Sequence, residues 1–150
     1  MLASAGSVAA DPSRVHRAEL GGRVAWKAEV VADRTYVDRP MVYVAGPYTN
    51  PDPVQNTHDT VLEAGRIIEE GRVTPLVPHL TLLWHLVEPR SLEFWYAYDL
   101  ATLARCDAVL RLEGASTGAD REVEFAREIG KPVFTSKAEL YAWVDEVAAS

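Results

Sequence analysis

The stretch 107-DAVLRLEGASTGADREVEFAREIGKPVFT-135 decides the fold. It opens on a strand-length apolar run, DAVLRLE, passes through the glycine- and hydroxyl-rich loop GASTGA, and continues as an amphipathic helix over residues 118–129. A second apolar run, KPVFT, follows. Apolar residues recurring at the helical period between two strand-length runs describe a βαβ unit.

The pattern repeats outward from this unit. Upstream, MVYVAG at 41–46 is a short buried strand stopped by Gly46 and Pro47, and PYTNPDP is a loop. From Val54 to Glu70, spacings of three and four place Val54, His58, Val61, Leu62, Gly65 and Ile68 on one helical face, with Gly71 as terminator. VTPLVP is a strand whose Pro75 and Pro78 suit the edge of a sheet. The run HLTLLWHLVEPR is a short helix or a lining loop. Ser91 caps a helix reaching about Arg105, and Ser136 with Glu139 forms a capping box for the last helix, KAELYAWVDEVA. Strands alternating with helices give an α/β domain with a mainly parallel sheet of four or five strands. Ligands in such sheets bind at the carboxyl ends of the strands, so AGPYTNP, PHLTLLWH and EGASTGAD are the loops where chemistry is expected.

The totals fit one domain. With 150 residues, 48% of them hydrophobic, the chain can bury one sizeable core. Residues 1–22, rich in Ala, Ser and Gly, read as a flexible tail, and 23–150 as the domain; RVAWKAEVVADRTYV at 23–37 reads as a strand or hairpin. The net charge of −7 argues against a nucleic-acid polymer as partner, while leaving room for a small nucleotide. The single cysteine, Cys106, excludes an internal disulfide framework and fits a reducing setting. A basic start followed by an apolar run is missing, as is any stretch of eighteen apolar residues, so no membrane association and a cytoplasmic location are expected.

Two acids stand out of place. Around the 118–129 helix, Glu122 falls in the apolar arc with Ala119, Val123, Phe125, Ala126 and Ile129, whereas Asp120, Arg121, Glu124, Arg127 and Glu128 share the polar arc. The preceding helix does the same with Asp99, set among Leu92, Trp95, Tyr96, Leu100 and Leu103. A buried carboxylate is costly without a partner. Each acid alone reads as a cap or an ion pair, for instance with Arg66 or Arg105; the two together read as acid/base or nucleophilic machinery. Thr117 with Asp120 fits a capping box, which places Glu122 in the first turns of its helix, where the macrodipole favours an ionised carboxylate. The same N–H groups, with the Ser116 and Thr117 hydroxyls and the flexible Gly114 and Gly118, suit a phosphate.

VYVAGPYT followed by YDLATLARCDAVLRLEGASTGADREVEFAREIGKPV resembles the nucleoside 2-deoxyribosyltransferase superfamily, including its nucleotide N-hydrolase branch. The resemblance spans roughly residues 41–135. It is carried by D-x-x-x-L and S-x-G-x-x-x-E-x-x-x-A, here Asp99, Leu103, Ser116, Gly118, Glu122 and Ala126. It implies a flavodoxin-like or Rossmann-like αβα three-layer sandwich and cleavage of the bond between a base and its (deoxy)ribose. It further implies that Glu122 attacks the sugar C1′ while Asp99 orients the sugar or handles the proton of the departing base, with carboxyls about 5 Å apart as in retaining glycosidases. Ser116 matches a contact to the 5′-phosphate, Tyr43 a first-strand tyrosine lining the site, and Gly46 leaves room for the ligand; Pro47, Tyr48, Thr117, Gly118 and His79 complete the expected binding residues.

The transferases tend to carry an acid where this chain has Ser116, and they use C-terminal groups from a neighbouring subunit that have no counterpart here. Both departures favour hydrolysis of a nucleoside 5′-monophosphate over base exchange, with a non-catalytic nucleotide sensor as the rival of another class. A homo-oligomer is implied by the resemblance alone. No metal and no cofactor are expected. His58 and His85 read as packing or capping residues, Trp84, Trp95, Tyr96 and Tyr98 as core or interface with one of them stacking on the base as the alternative, Asp107 as structural, and Cys106 as a buried small residue.

Overall fold

The computed structural model describes residues 18–20, 23–25 and 36–150, and divides the chain into a unit of residues 1–35 and a unit of residues 36–150. In the first, β1 (Ala18–Leu20) pairs antiparallel with β2 (Arg23–Ala25), Glu19 opposite Val24. The rest of the expected tail, and most of the strand or hairpin expected over 23–37, lie outside the described residues.

The second unit is built on β3 (Met41–Ala45), β4 (Thr74–Leu76), β5 (Ala108–Arg111) and β6 (Val133–Phe134). All pairings are parallel and the spatial order is β4-β3-β5-β6. Counted along this sheet the order is 2-1-3-4, that of the flavodoxin-like doubly wound folds. The connecting helices are α1 (Pro53–Glu70), α2 (Thr81–Val87, after a 3-10 turn at Pro78–Leu80), α3 (Leu92–Leu103), α4 (Thr117–Glu128) and α5 (Lys137–Ala148). Among the described residues no helix is long and apolar enough to cross a membrane.

Strand alternation sorts the helices into two layers, because successive side chains leave a strand on opposite faces. Val42, Ala108 and Leu110 pack with Ile67 of α1 and with Leu140 and Val144 of α5. Tyr43, Ala45 and Val109 pack on the other face with Leu103 of α3, Cys106, and Ala119 and Ala126 of α4. Tyr43 therefore points at the two helices that carry Asp99 and Glu122. β4 takes the edge position, where Pro75 can do without a ladder donor.

Helix α1 corrects the sequence reading. The face expected to be buried is largely exposed, with Val54, Val61, Leu62 and Ile68 all open to solvent, while Thr60, Ala64 and Ile67 are buried. Ile67 is the residue of α1 that packs with the strand side chains. Thr60 is admitted because its hydroxyl donates to the Asn56 carbonyl one turn back, 2.8 Å away. The terminator is as expected: Gly71, at φ 70°, turns its N–H back to the Ile67 and Ile68 carbonyls.

Candidate active site

The site is assembled where β3, β4 and β5 end and the strand order reverses about β3, the switch point at which doubly wound sheets bind ligands. Arg111, the last residue of β5, ties the following loop together. Its guanidinium donates to the carbonyls of Leu112 and Gly114, the latter at 2.8 Å, and to Asp120 Oδ1 at 2.9 Å. The loop closes into α4 through Ser116, whose Oγ accepts the Ala119 N–H at 3.2 Å. Ser116 is thus the cap, one residue before the expected Thr117, and Asp120 serves Arg111 instead of a capping box. With Oγ accepting from the backbone, the Ser116 hydroxyl can still donate. The N–H groups of Thr117 and Gly118 lie in the first turn, beyond reach of any carbonyl of their own helix.

Gly114 fixes how closely this loop approaches the one after β3. It sits at φ 111°, and a Cβ there would stand 2.7 Å from Pro47 Cγ. Gly114→Ala is expected to destabilise the fold by about 2 kcal/mol, combining backbone strain with displacement of the Pro47 loop. Thermal or denaturant unfolding measures this, and a change below about 0.5 kcal/mol would show that the two loops yield easily.

Glu122 is 8% exposed and accepts a hydrogen bond at Oε1 from the Tyr43 hydroxyl, 2.8 Å away. Burial pushes its carboxyl up to about 7; the Tyr43 bond and the Arg111 charge oppose the rise and the Asp99 charge adds to it. Asp99 is likewise pushed up to about 7 by burial, and its Oδ1 is enclosed with no hydrogen-bond partner among the described residues. Burial raises the hydroxyls of Tyr43 and Tyr48 above the usual phenol range, and the Asp99 charge adds to the rise in both. Tyr43, Tyr48, Asp99 and Glu122 thus form one electrostatic neighbourhood. Neither acid is held by the arginines considered as ion-pair partners: Arg66 pairs with Glu63 and Arg105 donates to the Ala101 carbonyl.

A cavity of about 410 Å³ opens over this neighbourhood, within the range of small-molecule sites. Of the residues singled out in the sequence, Gly46, Tyr48, His79, Asp99, Ser116, Thr117, Gly118 and Glu122 line it. Tyr43 lies fully buried behind Glu122. Pro47 lines no wall; its carbonyl oxygen lies 2.8 Å from His79 Nε2 and its ring meets Gly114.

Other residues contribute to the site. Trp95 and Tyr96, read as core or interface, form part of the wall, and Arg121 lies over the Tyr96 ring, 4.1 Å from its centroid. Leu92, placed on the inward face of α3, is exposed at the rim. Asn56 donates to the Tyr48 and Asn50 carbonyls, both at 2.8 Å, and so shapes the loop after β3. Its position one turn beyond Asp52, the cap of α1, was the available signal. His85 does pack, taking the Trp95 indole N–H at 2.8 Å, whereas His58 is exposed beside Asp59. Asp107 accepts the Met41 N–H at 2.8 Å across β3 and β5, and Cys106 is buried. Among the described residues no three His, Cys, Asp or Glu side chains are grouped to hold a metal ion.

Fold and site together define a doubly wound α/β protein with two inward carboxylates at the carboxyl end of its sheet. The chain belongs to the family described as Domain of unknown function (DUF4406), whose model matches residues 40–135. It is also similar to a solved structure of a 2-deoxyribosyltransferase from the psychrotolerant bacterium Bacillus psychrosaccharolyticus, described as a biocatalyst for nucleoside synthesis. The identity is 24%, over 62% of this chain and 69% of that one, at a TM-score of 0.46. No curated protein matches the sequence.

Proposed function

We propose that this chain cleaves the N-glycosidic bond of a small nucleoside 5′-monophosphate or nucleoside through a covalent glycosyl ester at Glu122. The observation that carries this reading is the meeting of Asp99 and Glu122, from separate helices, on the wall of one cavity at the switch point of the sheet. The motif resemblance assigns the same two residues.

Each atom of the pair has a place in the reaction. Tyr43 holds Oε1 of Glu122 and favours the ionised form, so Oε2 is the oxygen left to attack C1′. As the C1′–O bond forms, the C1′–N bond breaks and its electron pair goes to the base. A carboxyl titrating near 7 is suited to protonate that nitrogen, which is the role proposed for Asp99. Water then attacks C1′, delivers a proton to Asp99 and releases Glu122. A 5′-monophosphate is favoured over a free nucleoside because Ser116, Thr117 and Gly118, at the N-terminus of α4, line the cavity, where a helix start suits an anion.

The test is incubation with ribo- and deoxynucleotides, reading freed base and, by intact mass, a sugar adduct. An adduct in the wild type that is absent from Glu122→Gln is expected; equal base release by both would remove Glu122 as nucleophile. A second free base in the same assay separates transfer from hydrolysis.

Tyr43→Phe tests the hydroxyl alone. It leaves Glu122 Oε1 without its donor, so the carboxyl should rise further and the acid limb of the pH–rate profile move about one unit to higher pH. A fall of about tenfold in kcat with KM little changed is expected. An unshifted limb would mean that Tyr43 only packs.

A further inference from the structure

His79 stands on the turn that ends β4 and is 3% exposed. Its Nε2 lies 2.8 Å from the Pro47 carbonyl oxygen. A carbonyl only accepts, so Nε2 carries the proton, and in a neutral imidazole Nδ1 is then a bare lone pair. Burial holds His79 below its usual pKa, against the opposing pull of the Pro47 hydrogen bond, and so favours the neutral ring.

Nδ1 is enclosed and has no donor among the described residues. The surroundings do not offer one. Tyr48 stands edge-on with its centroid 5.8 Å from the ring, and Gly46 presents only backbone beside Cε1. The Thr57 hydroxyl is directed at the His79 backbone carbonyl. Asp99 Oδ1, on another element lining the same cavity, is a second enclosed acceptor without a donor. Buried polar atoms in folded proteins are paired with few exceptions, and on a residue that lines a cavity an occupant, on seating, can supply the missing partner.

We propose that His79 reads the ligand, accepting at Nδ1 a hydrogen bond from an N–H or O–H of the nucleotide, so that the cavity rejects otherwise identical compounds lacking that donor. This rests on the nucleotide reading above and adds a selection rule to it. A site built around a hydrogen bond discriminates strongly, because the analogue without the group leaves the buried acceptor unpaired. A nucleotide has three such donors: the sugar 2′-hydroxyl, an exocyclic amino group and a ring N–H of the base.

Calorimetric binding to the Glu122→Gln chain, which is not expected to turn over, decides among them. The panel is adenosine and cytidine 5′-monophosphates, their 2′-deoxy forms, the purine and pyrimidin-2-one ribonucleotides that lack the amino group, and uridine against N3-methyluridine 5′-monophosphate. Removal of one of the three donors should weaken binding at least about tenfold with His79 present and less than about twofold after His79→Phe. His79→Gln, which can donate to Pro47 and still offer an acceptor, should keep part of the discrimination. Imidazole ¹⁵N spectra should show an unprotonated Nδ1 that shifts when the donor-bearing ligand binds.

Discrimination equal with and without His79, no dependence on any donor, or a protonated Nδ1 would each overturn the proposal, the second identifying a buried water as the partner. If no nucleotide binds and the wild type frees no base, the cleavage reading itself falls and takes this inference with it.

Discussion

Glu122→Gln is expected to lower base release by about 10³-fold or more while making the folded chain more stable above neutral pH. The two effects share a cause. In the unfolded chain a glutamate ionises near 4.5, whereas burial holds the folded carboxyl up to about 7. Between those values the folded state binds the extra proton, so stability falls as pH rises through the window and levels off above it. The difference corresponds to about 3 kcal/mol of penalty at pH 8. The amide introduced by Glu122→Gln carries no charge and can still accept from Tyr43, so the variant should lack this slope. A gain of about 1–3 kcal/mol is the expected net result at pH 8, after allowing for an amide N–H₂ that needs a partner. Urea unfolding of both proteins at pH 5 and pH 8 measures it. Loss of stability at pH 8 would show that the carboxylate serves the fold.

This exchange of stability for a placed charge is what made the site legible. Glu122 was visible because α4 divides its other charges cleanly from its apolar arc, so one acid on the wrong side stands out. Asp99 was visible on the same ground, although α3 is apolar nearly all round and its faces are less distinct; Leu92 was placed inward there and is exposed at the rim. The parallel sheet follows from strand runs punctuated by helices. The face of α1 did not follow, because hydrophobicity alone marks Val61, Leu62 and Ile68, whereas the buried face is Thr60, Ala64 and Ile67, two of them weak apolar signals. Contacts between distant loops were equally hidden. Nothing in the residue types announces that Arg111 gathers the loop before α4, that Gly114 admits Pro47, or that the Pro47 carbonyl meets His79.

Asp99→Asn separates the two roles open to that acid. If Asp99 protonates the departing base, the variant should slow release of neutral bases about 10²–10⁴-fold. It should leave 7-methylguanosine 5′-monophosphate within about tenfold of the wild-type rate, because a purine that already carries positive charge takes the bonding electrons and departs without a proton. The pH profile should divide in the same way. Attack requires Glu122 ionised and protonation requires Asp99 neutral, and both titrate near 7. For neutral bases the wild-type rate should therefore rise and fall about a maximum near 7, with apparent values that belong to the coupled pair. For the methylated purine, only the rising limb should remain. If Asp99→Asn slows both substrates equally, the proton comes from elsewhere and Asp99 acts by holding the sugar from the cavity wall.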